Sequence, residues 1–145
     1  MKKLLVDAEW TFKVDARLWI EDTQKTSLTW LHPDVGIAND PGSELHAELR
    51  NRGLVFVPKT HYSAFYDTDL EAELRRRGIE EVFIAGIQTD YCVASTAMAA
   101  FERRFRAFVV SDACTSAEGE EAHNTGLQCV RRYLGNQAVV TSDSL

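Results

Sequence analysis

An acid, an amine and a thiol each stand at or just beyond the end of a short apolar run. Asp7 follows Lys3-Leu-Leu-Val6, Lys59 follows Leu54-Val-Phe-Val57 and Pro58, and Cys92 comes shortly after Val82-Phe-Ile-Ala-Gly86. If these runs are strands of one sheet, the three groups converge at its carboxyl edge, where open α/β sheets bind ligands. An acid, a base and a thiol at neighbouring strand ends are the parts that covalent nucleophilic catalysis needs. Cys92 sits where a strand's carboxyl end meets a helix's first turn. Unpaired amides and the helix dipole favour an anion there, a thiolate included. The same position suits a small buried hydrophobe, since free cysteine is among the most buried residue types, and position alone leaves both readings open.

The elements that would hold these groups are legible over most of the chain. Val82 to Ala85, with Ile87 beyond Gly86, read as a buried strand ending in a tight turn. From Val93 to Phe101 small and apolar residues crowd together without Pro or interior Gly, which suits a helix packed closely on a sheet. Asp69 to Gly78 begins acidic, ends basic and stops at glycine, with Thr68 placed to cap it. Ala107-Phe-Val-Val110 is the next strand, ending in Ser111-Asp112; a helix near Glu118 to Leu134 and a strand at Ala138 to Thr141 follow. Upstream, Ser43 to Arg50 reads as a short helix with Ser43 as N-cap, and Val35 to Gly42 carries loop chemistry. Residues 13–40 show no clean helical period: Phe12 to Ile20 alternates loosely and Ser27 to Leu31 looks extended. Alternating strands and helices from Leu54 onward predict an α/β fold with a largely parallel sheet, as one domain over residues 1–145.

Composition narrows the function classes. The 145 residues suffice for one sizeable core, and 45% hydrophobic with 26% charged residues is ordinary for a globular domain. A net charge of −6 argues against nucleic acid or an anionic membrane surface as partner. Met1-Lys-Lys-Leu-Leu-Val6 meets Asp7 at once, so neither a signal peptide nor a membrane span is expected. Cys92, Cys114 and Cys129 form no CxxC pair and are odd in number, which points to a reducing, cytoplasmic setting. Cys114 and Cys129 read as packing residues.

From Pro41 to Asp112, about half of the chain, the sequence resembles the isochorismatase-like cysteine hydrolases, the family of nicotinamidases and related amidases. The resemblance rests on Pro41-Gly-Ser-Glu-Leu-His46, Lys59 with Ser63-Ala-Phe65 and Thr68, Leu74 through Gly78, Gly86-Ile-Gln-Thr-Asp-Tyr-Cys-Val93, Thr96-Ala97 and Ser111-Asp-Ala113, in order and at the right spacing. It implies a three-layer Rossmann-like fold, with helices on both faces of a mostly parallel sheet. It also implies an Asp7, Lys59, Cys92 triad: Cys92 the nucleophile, Lys59 the cation holding it as thiolate, and Asp7 the group relaying a proton to the leaving nitrogen. Glu9 is the reserve acid. The backbone amides of Gln88 and Cys92 map onto the family's oxyanion donors, with a non-proline cis peptide at Ile87-Gln88. The implied reaction is hydrolysis of a C–N bond in a small amide through a thioester acyl-enzyme. Tyr62, Phe65 and Tyr91, with Tyr66, suggest a small, partly apolar pocket, although the same rings suit core or interface; Asp90 reads as a structural cap.

Nicotinamidases of the family hold a metal with an acid and several histidines after the second strand. Trp30-Leu-His-Pro-Asp34 offers only His32 and Asp34, and His46, His61 and His123 are scattered, so no metal and no other cofactor is expected. Family members also carry a full helix and strand after the Asp strand. Here either Ser27 to Leu31 serves as the second strand after an irregular crossover, or the sheet is rearranged. Trp10, Trp19 and Trp30 would then need cover, which a homo-oligomer supplies most simply. Three other functions remain: a catalytically silent binding or assembly relative, hydrolysis of an isochorismate-like vinyl ether without a covalent thiol, and thiol redox chemistry, disfavoured because no resolving cysteine lies near Cys92.

Overall fold

The computed structural model describes residues 2–7, 18–22 and 55–145. The expected helix at Ser43–Arg50, the stretch Ser27–Leu31, and Glu9, Trp10, Trp30, His32, Asp34 and His46 lie outside them. In chain order the elements are β1 (Lys2–Asp7), β2 (Leu18–Asp22), β3 (Val55–Lys59), α1 (Leu70–Arg76), β4 (Ile79–Ile87), α2 (Ala94–Glu102), β5 (Arg106–Thr115), α3 (Glu120–Leu134) and β6 (Val139–Val140). The strands form one sheet in the order β3-β2-β1-β4-β5-β6, parallel at each pairing. The chain builds outward from β1 to β3, then returns to the other side of β1 with β4. That reversal between β1 and β4 opens the crevice in which sheets of this topology take their ligands.

β4 is buried on both of its faces, and the described helices pack on one of them. Val82 and Ile84 belong to the larger core cluster, while Phe83 and Ala85, pointing the other way, belong to a second cluster with Val110. Both faces are apolar and buried, as expected of a parallel strand covered on two sides. Against the larger cluster pack Leu70 and Leu74 of α1, Ala94 and Ala97 of α2, and Leu127 and Val130 of α3. Alanines along the buried side of α2 let it lie close to the sheet.

Several boundaries differ from expectation: β4 begins at Ile79, β5 runs on past Ser111-Asp112 to Thr115, and β6 is only Val139–Val140. The strand beside β1 is Leu18–Asp22 rather than a later segment. β3 extends through Pro58 to Lys59 rather than ending at Val57. Proline is tolerated there because β3 is the edge strand of the described sheet, where a missing N–H interrupts no second ladder. The N-cap of α1 is Asp69 rather than Thr68, and its side chain makes no capping bond; Thr68, one residue earlier, accepts from the Leu70 amide at 3.3 Å and donates to the Ala64 carbonyl at 2.6 Å.

The C-terminal turn is fastened to β5 by Asp112, whose carboxylate accepts from the Ser142 amide at 2.8 and 3.1 Å and from its hydroxyl at 2.5 Å. The Ser142 hydroxyl and amide hold the Asp112 carboxyl below its ordinary range, outweighing slight burial. A depressed carboxyl contributes stability above its unfolded pKa of about 3.9 and loses it as pH falls through the lower folded value. Wild type should therefore melt about 2–4 °C above Asp112→Ala at pH 7. The gap should close on acidification below about pH 4, as read by thermal melts across that range.

Candidate active site

Cys92 does not open an ordinary helix. It lies in a wider π-helical turn, Thr89–Val93, in which the Gln88 carbonyl accepts from the amides of Tyr91 (3.2 Å) and Val93 (3.1 Å) before α2 begins at Ala94. Entry to the turn needs Gly86, whose φ of +116° a side chain would resist, and the cis peptide expected at Ile87-Gln88 is present.

Lys59 reaches the same place from β3. It is 6% exposed, and its ammonium donates to Cys92 Sγ at 3.7 Å and to the His61 carbonyl at 3.2 Å. Thirty-three residues separate the amine from the thiol in sequence. The loop after Lys59 is docked on α2 where the Ala64 amide donates to the buried Thr96 hydroxyl at 3.1 Å. The geometry thus brings a nucleophile-bearing turn and a buried cation together. Asp7 closes β1 in backbone register with Ala85 of β4 and Trp19 of β2, at the carboxyl edge beside the strand that leads to Cys92.

Of the rings expected around a pocket, two meet. Tyr62 and Tyr91 stack with centroids 5.6 Å apart and planes 21° from parallel, one from each loop that carries a reactive group. The Glu118 carboxylate, then Asp90, then burial and the Tyr62 phenol push the Tyr91 phenol above its usual range, so it stays neutral. Phe65 lies in the core instead. It is 5% exposed, stacks on Phe105 at 5.9 Å and carries the Arg103 guanidinium 5.2 Å over its ring. Tyr66 pairs with His61 at 4.0 Å.

The turn is held by ties to residues that the sequence did not single out, Thr115 to Ala117 among them. The Gln88 side-chain oxygen accepts from the Ala117 amide at 3.0 Å. The Thr89 hydroxyl donates to the Thr115 carbonyl at 3.0 Å and meets His123 Nδ1 at 2.8 Å. Asp90 accepts from the Ser116 hydroxyl at 2.6 Å, a tie to the segment after β5 rather than the cap expected of it. Gly126 lets α3 lie directly on this backbone: a Cβ there would come within 2.7 Å of Asp90 Cα and N. These ties span 26–34 residues, beyond any local signal. Cys114 packs between the two core clusters, and Cys129 is half-buried on α3. Among the described residues no group of three or more His, Cys, Asp or Glu side chains converges as a metal site would require. No helix among them is long and apolar enough to cross a membrane.

Residues 9–144 match the family described as the isochorismatase domain. The chain is 38% identical over 96 residues to the uncharacterized isochorismatase family protein YecD of Escherichia coli O157:H7, covering 66% of this chain and 45% of that protein. It is 36% identical over 93 residues to the ureidoacrylate amidohydrolase RutB of Variovorax paradoxus, covering 63% of this chain and 37% of that one. It thus spans less than half of either relative. The crystal structure of the nicotinamidase PncA from Bacillus subtilis superposes with a TM-score of 0.79 at 26% identity, over 97% of this chain and 99% of that one.

Proposed function

The chain belongs to the isochorismatase family, and from that premise we propose that it is a cysteine-dependent hydrolase cleaving a C–N bond of a small amide through a thioester acyl-enzyme. The observation that carries this reading is the buried Lys59 ammonium 3.7 Å from Cys92 Sγ. The Cys92 thiolate adds to the amide carbonyl, and the oxyanion is taken by the backbone amides of Gln88 and Cys92. Asp7 delivers a proton to the leaving nitrogen, the C–N bond breaks, and a thioester remains. Water, deprotonated by Asp7, then attacks the thioester and releases the acid and the free thiolate. The stacked Tyr62 and Tyr91 form one wall beside the sulfur. Cover of the tryptophans by a second copy of the chain, and a cytoplasmic setting, belong to the same proposal.

The relatives' names supply probes: nicotinamide and ureidoacrylate, with ammonia release as the readout. At least one should be hydrolysed, and iodoacetamide should stop the reaction by alkylating Cys92. Lys59→Met keeps the length of the side chain and removes its charge, so alkylation at pH 7 should slow by about tenfold or more. Equal alkylation rates in wild type and Lys59→Met, together with no ammonia from either amide, would sink the proposal.

A further inference from the structure

We propose that His123 is a positioning residue for the oxyanion cradle, acting through Thr89. The inference rests on the cysteine-hydrolase reading above and adds a residue to it. Thr89 is fully buried and its hydroxyl carries a single proton. The Thr115 carbonyl, 3.0 Å away, can only accept, so that proton points to it. The 2.8 Å contact with His123 must then run the other way, with the imidazole Nδ1–H donating to the Thr89 oxygen. This assigns the tautomer: His123 carries its proton at Nδ1.

The consequence lies in the backbone. Thr89 directly follows Gln88, and its carbonyl accepts from Ala94 at the start of α2. Fixing Thr89 from two sides therefore fixes the peptide planes between Gln88 and Cys92. His123 and Gly126 stand three residues apart on one face of α3, and that face is the surface on which the turn rests. The other side-chain hydrogen bonds described for Gln88, Thr89 and Asp90 join them to residues 115–117. His123 brings one from the helix and closes the turn between the two.

Such a residue should matter where amides must meet a developing oxyanion and not where sulfur simply displaces iodide. The two are separable with two reagents. Iodoacetamide alkylates Cys92 and builds no oxyanion. A simple aldehyde, acetaldehyde or benzaldehyde, adds reversibly: a bond forms from Cys92 Sγ to the carbonyl carbon, the C=O π bond opens, and the oxygen takes the charge and then a proton from solvent. Aldehyde affinity is read as protection of Cys92 against iodoacetamide.

In His123→Ala and His123→Gln, aldehyde affinity should fall at least about tenfold while the iodoacetamide rate stays within about twofold. In His123→Asn the amide nitrogen stands close to the place of Nδ1, so affinity should recover to within about threefold of wild type. The Asn and Gln variants keep a polar side chain of similar bulk and decide the matter if alanine unfolds the chain. Unchanged aldehyde affinity in the Gln variant, with wild type working, would overturn the role of His123 alone. So would an Asn variant as weak as Gln when both melt like wild type, since packing then accounts for the loss. A wild type whose Cys92 neither aldehyde protects would overturn both readings together.

Discussion

Cys92→Ala is expected to lower amide hydrolysis by at least about 10⁴-fold while leaving the fold in place. The half-buried thiol is the one nucleophile that the turn presents beside the Lys59 ammonium, and alanine leaves that ammonium nothing to activate. Lys59 keeps its bond to the His61 carbonyl in the variant, so the change should not strand a buried charge. The melting temperature should therefore stay within about 4 °C of wild type. Ammonia release and thermal melts on the same samples make the comparison. A variant that folds and still turns over would point away from a thioester and toward direct attack of water, as in hydrolysis of a vinyl ether.

Gly126→Ala, far from the sulfur in sequence, should also cost activity, by about 100-fold. Two effects oppose each other. Alanine inside a helix is ordinarily worth about 1 kcal/mol over glycine. Here its Cβ would meet Asp90 Cα and N at 2.7 Å and the Thr89 carbonyl carbon at 2.8 Å. All three are backbone atoms of the nucleophile turn, which no rotamer change can move. Overpacking of this kind costs about 1–3 kcal/mol, and part of it is relieved only by shifting the turn or the helix. The net effect should be a melting temperature lower by a few degrees and, because a displacement of about 1 Å at a reacting group can cost 10²-fold, activity lower by about that factor. Asn124→Ala, on the exposed side of the same helix, is the control and should change neither. Full activity in a well-folded Gly126→Ala would show that the contact between α3 and the turn is not needed for catalysis.

Sequence made the reactive end legible because its signals are local. Lys59 and Cys92 each follow a compact apolar run, and such runs become strands through burial alone. β2 was harder. Leu18 to Asp22 is five residues long, and only residues 8–17 join it to a parallel neighbour. A parallel crossover usually takes a dozen residues or more, so a strand so soon after β1 is unexpected. Ring identity misled at Phe65, since nothing in its neighbours separates a pocket wall from a core side chain until Phe105 is known to lie beside it. Thr89 sits inside a recognisable motif, yet its partners Thr115 and His123 become neighbours only when β5 and α3 are laid against the turn.

The pairing of β4 with β5 does not run evenly. Ile84 faces Val109, but Gly86 faces Cys114, so five steps along β5 match two along β4. The slack includes Ser111 and Asp112, which grip the C-terminal segment at Val140 and Ser142, while the ladder resumes in time to set Thr115 to Ala117 beside Gln88 to Asp90. The excursion acts as an expansion joint. The extra length of β5 is taken up within those few residues, so the grip on the C-terminal segment leaves the contacts at Gln88 to Asp90 in register.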